Sequence, residues 1–391
     1  MISFEELGVK QSYIEGLKTL SITEPTPVQG AVYESVYQGA DLLVQAMTGS
    51  GKTFAYLLPL MAAIEPTSKD IQVIVLAPTH ELALQINNQI SILSKASGIE
   101  IRSQALIGGV KVSRQVDALK EKPHIIVGSA GRMLEIYRLK KLKTHTVKTI
   151  VLDEGDKLLE DSYIEDVKAL IKTTLKQRQL LLFSASLNTK AEERAKAIMR
   201  EPSLVRVDEA ILNPLVSHAY WLCDARKKVE NLRKLISAVK PTRCLVFVNK
   251  NEIIQEVTDK LTYHNYGAVS LFGNQSKADR AKSMQAFTSG KATIVVTSEL
   301  AARGLDIEGV THVIHLDMPQ TADDYLHRIG RTGRHGNKGA SIAIVSDREL
   351  ETLQKIVTRF SVSLVDLQIR YGEVKSESDA STVTKYKRRD K

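Results

Sequence analysis

Short apolar runs, rich in β-branched residues, punctuate the first half of the chain. They are Leu42–Gln45, Gln72–Ala77, Gln104–Ile107, Ile125–Gly128, Thr149–Leu152, Leu180–Phe183 and Ser203–Val207. Nearly all are bounded by turn residues and followed by amphipathic stretches such as Glu81–Lys95 and Ser113–Leu119. Runs without strict polar alternation predict strands buried on both faces, and interleaved helices predict a parallel sheet. Segment 208–216, with Asp208, Glu209, Asn213 and Pro214, reads as a linker. A second series then begins with Ser217–Leu222, Cys244–Val248, Ala268–Leu271, Ile294–Thr297, His312–Leu316 and Ala340–Val345. The expected division is 1–207, linker 208–216, 217–371, and a polar, basic, disordered tail at 372–391. The longest apolar runs, such as Ile71 to Ala77, are too short to span a bilayer.

The chemistry concentrates where strands should end. After Asp41-Leu42-Leu43-Val44-Gln45 comes Ala46-Met47-Thr48-Gly49-Ser50-Gly51-Lys52-Thr53, and an apolar helix-like run from Phe54 follows. Strand, glycine-containing loop, lysine, hydroxyl and helix make a phosphate cradle, in which backbone N–H groups and the helix N-terminus face the anion. Lys52 would reach the terminal phosphates and Thr53 would hold Mg²⁺, although Ala46 stands where a glycine is usual. Ile150-Val151-Leu152 leads into Asp153-Glu154-Gly155-Asp156. Beside a phosphate loop, Asp153 is placed for Mg²⁺ and Glu154 for orienting or deprotonating the attacking water.

Net charge is +9, which favours an anionic partner. The two cysteines, Cys223 and Cys244, lack metal or redox spacing and read as packing residues. Met1 to Lys10 carries no signal-peptide pattern, so the expected setting is cytoplasmic.

From Phe4 to about Gly339 the chain resembles a DEAD-box RNA helicase, with Asp-Glu-Gly-Asp in place of Asp-Glu-Ala-Asp. The resemblance implies an α/β fold of two tandem RecA-like domains with parallel sheets, of P-loop NTPase type. It implies that Phe4 and Gln29, of Pro25-Thr26-Pro27-Val28-Gln29, read adenine, and that the family's glycine is replaced by Ser21. Pro78-Thr79-His80, Gly108-Gly109 and Ser129-Ala130-Gly131-Arg132 match RNA-backbone segments, with His80 for arginine and Ala130 for proline. An imidazole, mostly neutral near pH 7, would make a weaker contact than arginine. Asp156 would bond into Ser184-Ala185-Ser186, a segment that couples hydrolysis to strand separation.

In the second half, Phe247-Val248-Asn249, Gly273 and Arg280 resemble an RNA-contacting region in which Phe272 and Lys277 replace histidine and glutamine. In the run Thr297 to Asp306, the resemblance gives RNA phosphates to Ser298, Arg303 and Gly304, and the ATP ribose to Asp306. In His327-Arg328-Ile329-Gly330-Arg331-Thr332-Gly333-Arg334, Arg331 and Arg334 would face the γ-phosphate and His327 would join the coupling network. The implied activity is that of a monomeric ATP-dependent RNA helicase using ATP and Mg²⁺. It would act on single-stranded RNA or short duplexes with little sequence preference. The compact form is similar to short bacterial members, some of which act in ribosome assembly, so ribosomal RNA or pre-ribosomal particles are the expected substrates. The alternatives are an ATP-gated RNA clamp without strand separation and a DNA translocase of the same superfamily.

Overall fold

Runs such as Val73–Leu76 and Ile125–Gly128 have no exposed face, and that dictates their setting: both sides of each strand must be covered. In the computed structural model they form two sheets layered with helices, one in each of two compact units. The residues described are 2–47, 49–207, 212–273, 275–302, 307, 309–334, 336–360, 362–370 and 373–376, without the side chains of 277, 300, 370 and 373–376.

The first unit contains β1 (Leu42–Gln45), β2 (Val73–Leu76), β3 (Ser103–Leu106), β4 (Ile125–Gly128), β5 (Thr149–Asp153), β6 (Gln179–Ser184) and β7 (Ser203–Arg206). All pair in parallel, in the order β3-β4-β2-β5-β6-β1-β7. Apolar clusters fill both faces, one around Val44, Tyr56, Val75 and Phe183, the other around Ile74, Met133, Leu152 and Leu182. This order divides the carboxyl ends of the strands into two groups. The ends of β5, β6 and β1 carry the acidic motif, Ser184 and the phosphate loop; those of β3, β4 and β2 carry Gly108-Gly109, Ser129–Arg132 and Pro78–His80.

The second unit contains β8 (Val216–Leu222), β9 (Cys244–Phe247), β10 (Ala268–Leu271), β11 (Ile294–Thr297), β12 (His312–His315), β13 (Gly339–Val345), β14 (Val365–Arg370) and β15 (Glu373–Ser376). Their order is β10-β11-β9-β12-β13-β8-β14-β15, with only the last pair antiparallel. Two features differ from the sequence expectation. Residues 373–376, assigned to the disordered tail, form an edge strand, whose main-chain pairing needs no apolar pattern. Leu212, assigned to the linker, is buried with Met318, Tyr325 and Ile329 in the second unit's core. Among the described residues, no helix is long and apolar enough to cross a membrane.

Candidate nucleotide and polynucleotide sites

The phosphate loop starts where β1 ends. Ala46 N–H donates to the Ser184 carbonyl of β6 at 3.0 Å, and the Ala46 methyl is buried in the core. A side chain is therefore accommodated where the phosphate-loop pattern has glycine. Gly49 and Gly51 hold φ of 84° and 89°, backbone that L side chains rarely adopt. A Cβ on Gly51 would also lie 2.6 Å from Gln29 Nε2. Lys52 and Thr53 open the helix Lys52–Ala63. The Lys52 ammonium, which has three donors, bonds the carbonyls of Ala46 at 2.6 Å and Met47 at 2.8 Å, and Ser50 Oγ donates to Met47 O at 2.7 Å. Thr48 lies outside the described residues.

Gln29 reaches this loop. Its Oε1 accepts from Thr26 N–H at 3.0 Å and its Nε2 donates to Gly51 O at 3.2 Å. One amide proton and one oxygen lone pair remain for a ligand. Phe4 is 1% exposed, packed within the first unit's core cluster.

Asp153 ends β5 and is buried. Its Oδ2 accepts from Tyr56 Oη at 2.8 Å and its Oδ1 from Glu154 N–H at 2.9 Å. Burial pushes the carboxyl above its ordinary range, opposed by the Tyr56 bond and the Lys52 charge. Tyr56 is fully buried, its ring 5.2 Å from that of Phe183. Thr53 hydroxyl and Asp153 carboxylate are hard oxygen donors, the set that suits Mg²⁺. Glu154 has φ 49°, a left-handed conformation costing roughly 1–3 kcal/mol for a non-glycine residue. Gly155 follows, and here the departure from alanine has a physical cause: a Cβ would lie 2.4 Å from Leu182 Cγ, itself fully buried. Asp156 Oδ1 accepts from Ser184 Oγ at 2.6 Å, and the buried Ser186 Oγ has no hydrogen-bond partner.

The three segments expected at the polynucleotide are mutually braced. Thr79 Oγ1 caps the helix His80–Ser97, accepting from Leu82 N–H at 3.2 Å beside half-buried Pro78. His80, though exposed, accepts Gly108 N–H on Nε2 at 3.1 Å, which fixes its proton on Nδ1. Arg132, on the helix that follows Ser129, donates to Val110 O at 2.8 Å and pairs with Glu135 at 3.1 Å, its side chain only 10% exposed. Arg132 thus braces the Gly108–Val110 loop instead of standing free for phosphate, and Gly131 is exposed beside it.

In the second unit, Arg328 has the central place that sequence reading missed. Its side chain is 2% exposed, lies 4.9 Å from the Phe247 ring centroid, and donates to Glu299 Oε2, Asp317 O and Asn249 Oδ1 at 2.7, 2.7 and 2.9 Å. It joins the carboxyl ends of β9, β11 and β12. Only the crowding of three arginines hinted at it. Arg280 donates to Ala301 O at 2.9 Å, and Ser298 Oγ accepts Ala301 N–H at 3.4 Å, so these two expected RNA contacts converge. Phe272 packs against the core, as an apolar replacement for histidine would. His327 and Arg331 are buried; Arg331 Nε donates to His327 O at 3.3 Å and Arg334 Nε to Gly330 O at 2.8 Å. Arg303, Gly304 and Asp306 lie outside the described residues.

A parallel sheet with a phosphate loop after β1 and a carboxylate after a neighbouring-but-one strand defines a P-loop nucleotide-binding protein. Comparison with known proteins narrows this. Residues 26–194 match the DEAD/DEAH box helicase family and residues 227–336 the helicase conserved C-terminal domain. The chain is 41% identical over 339 residues to the DEAD-box ATP-dependent RNA helicase CshC of Bacillus cereus, covering 87% of this chain and 86% of that protein. It is 40% identical over 369 residues to the probable ATP-dependent RNA helicase YfmL of Bacillus subtilis, covering 94% and 97%. Saccharomyces cerevisiae Dbp5 bound to RNA and ADP BeF3 superposes with a TM-score of 0.83 at 26% identity, covering 93% and 94%. The chain belongs to the DEAD-box helicase family.

Proposed function

We propose that this chain hydrolyses ATP in an RNA-dependent manner and uses the cycle to separate short RNA duplexes or remodel RNA–protein complexes. In this reading the loop through Gly49, Ser50 and Gly51 cradles the phosphates, and Lys52 exchanges its loop carbonyls for them. Thr53 and Asp153 hold Mg²⁺, which when bound neutralises phosphate charge. Glu154 orients or deprotonates the attacking water. Gln29 uses its remaining donor and acceptor on adenine, and Asp306 takes the ribose. Arg331 and Arg334 supply fixed positive charge to the transferred phosphoryl group, while Asp156, Ser184, Ser186 and His327 pass its state onward. The braced segments after β2, β3 and β4, with Arg280, Ser298, Arg303 and Gly304, take the RNA backbone; such contacts carry little sequence preference. Ribosomal RNA in assembling particles, in the cytoplasm, is the substrate the family resemblance suggests.

The observation that carries this reading is the tie between the phosphate-loop helix and the acidic motif, Tyr56 to Asp153, across 97 residues. The test is steady-state ATPase activity without nucleic acid, with single-stranded RNA and with matched DNA, alongside Glu154→Gln. Stimulation by RNA alone, lost in the variant, is expected. Equal stimulation by DNA points to a translocase, and RNA stimulation without duplex release points to a clamp. The inward engagement of His80 and Arg132 is the observation that favours a clamp, because it leaves less charge facing the polynucleotide.

A further inference from the structure

We propose that Tyr56 is a positioning residue for the nucleotide's divalent cation, holding the Asp153 carboxylate in the orientation from which it takes the ion. The inference rests on the metal-binding reading of Asp153 and Thr53 given above.

Tyr56 lies three residues after Thr53, so both share one face of the helix Lys52–Ala63. Its hydroxyl donates to one of the two proposed metal ligands, Asp153 at the end of β5, while the other, Thr53, stands one turn earlier on its own helix. A carboxylate on an aspartate rotates broadly about its last torsion. Here both oxygens are held, Oδ2 by the phenol at 2.8 Å and Oδ1 by Glu154 N–H at 2.9 Å. Each carboxylate oxygen keeps a second lone pair, so the two bonds fix orientation without using up the capacity to ligate. The phenol itself cannot swing away: Tyr56 is fully buried and its ring packs on Phe183. Phenylalanine would fill the same space but leave Asp153 held on one side only.

A buried phenol also needs a partner for purely structural reasons, and this helix offers an internal comparison. Tyr13 is equally buried and donates to the carbonyl of Met61, at the far end of the same helix, at 3.0 Å. Removing that hydroxyl loses a buried hydrogen bond without touching a carboxylate.

The test measures binding of a fluorescent ADP, in Mg²⁺ and in EDTA, to the full chain and to Tyr56→Phe, Tyr13→Phe, Asp153→Asn and the Tyr56→Phe/Asp153→Asn pair. In Tyr56→Phe, affinity in Mg²⁺ is expected to fall about 10- to 100-fold, the loss typical when a group that orients a metal ligand is removed. Affinity in EDTA stays within about twofold, as for one weak neutral bond at most. Tyr13→Phe should move neither, and Tyr56→Phe should add nothing in the Asp153→Asn background. Equal losses with and without Mg²⁺, tighter binding in Mg²⁺, or no change would overturn the inference. If Asp153→Asn loses the Mg²⁺ effect and Tyr56→Phe does not, only the Tyr56 inference falls. If Asp153→Asn keeps the full effect, the metal-binding reading of Asp153 falls and takes this inference with it.

Discussion

Ser21 and Gly155 each replace a residue the family pattern favours, and the structure gives each a different cost. Ser21 follows the helix Gln11–Thr19 with φ 61°, the conformation that favours glycine. Ser21→Gly removes the steric penalty but loosens the unfolded chain, so a net gain of about 0.5 kcal/mol is expected, read as a higher denaturant midpoint. At Gly155 the sign is reversed. Restoring alanine would drive a methyl into Leu182, and overpacking of this kind costs about 1–3 kcal/mol. Leu182→Ala should recover part of that loss, so the pair should couple in a double-mutant cycle; strict additivity would show that the contact does not limit the site. The four-residue motif was legible as an acidic turn after a strand. Why its third residue is glycine was not, because Leu182 belongs to a strand 27 residues later, whose neighbour only the sheet order identifies.

At the scale of elements, apolar runs located central strands such as β2 and β4 because burial on both faces leaves a clear pattern; β7, also expected to be buried, is a largely exposed edge strand instead. The pair after Leu364 was missed although Val365, Leu367 and Ile369 alternate with polar residues, the signature of a half-covered strand. Side-chain wiring between elements was illegible. Arg328 on the helix Ala322–Ile329 and Asn249 after β9 are 79 residues apart, and nothing local in either predicts their bond. The same helix places Tyr325 between two buried histidines, bonding His218 Nδ1 on β8 at 2.8 Å and stacking on His315 of β12 at 5.1 Å. Burial pushes His218 down to about 4 and His315 well below its ordinary value, the latter aided by the Arg328 charge. Both are therefore neutral when folded. The unfolded chain binds their protons below about pH 6.5, while the folded chain resists until about pH 4 for His218. The stabilisation from neutral burial is complete above pH 6.5 and is lost as pH falls toward 4, amounting to roughly 3 kcal/mol for His218. Thermal melts between pH 7 and 4.5 should show this slope in the wild type and a shallower one in His218→Gln.

For the whole molecule, the two units carry unlike parts of the proposed chemistry. The first holds the loop, Asp153 and Glu154; the second holds Arg331 and Arg334. Arg331→Ala should therefore leave nucleotide affinity nearly unchanged while RNA-stimulated turnover falls by about 10³ or more, the range seen when such an arginine is lost. A matching rise in the nucleotide Kd would instead place Arg331 in ground-state binding.

The strand order of the first sheet has one more consequence, for how such a chain can change. His80, Ser129 and Ala130 all sit after β2 and β4, on the side away from the phosphate loop. In the proposed reading, substitutions there change the segments that meet the polynucleotide, with β5 and β6 lying between them and the phosphate loop. On that reading, the order of strands sets a boundary across which sequence drift on the cargo side need not detune the fuel side.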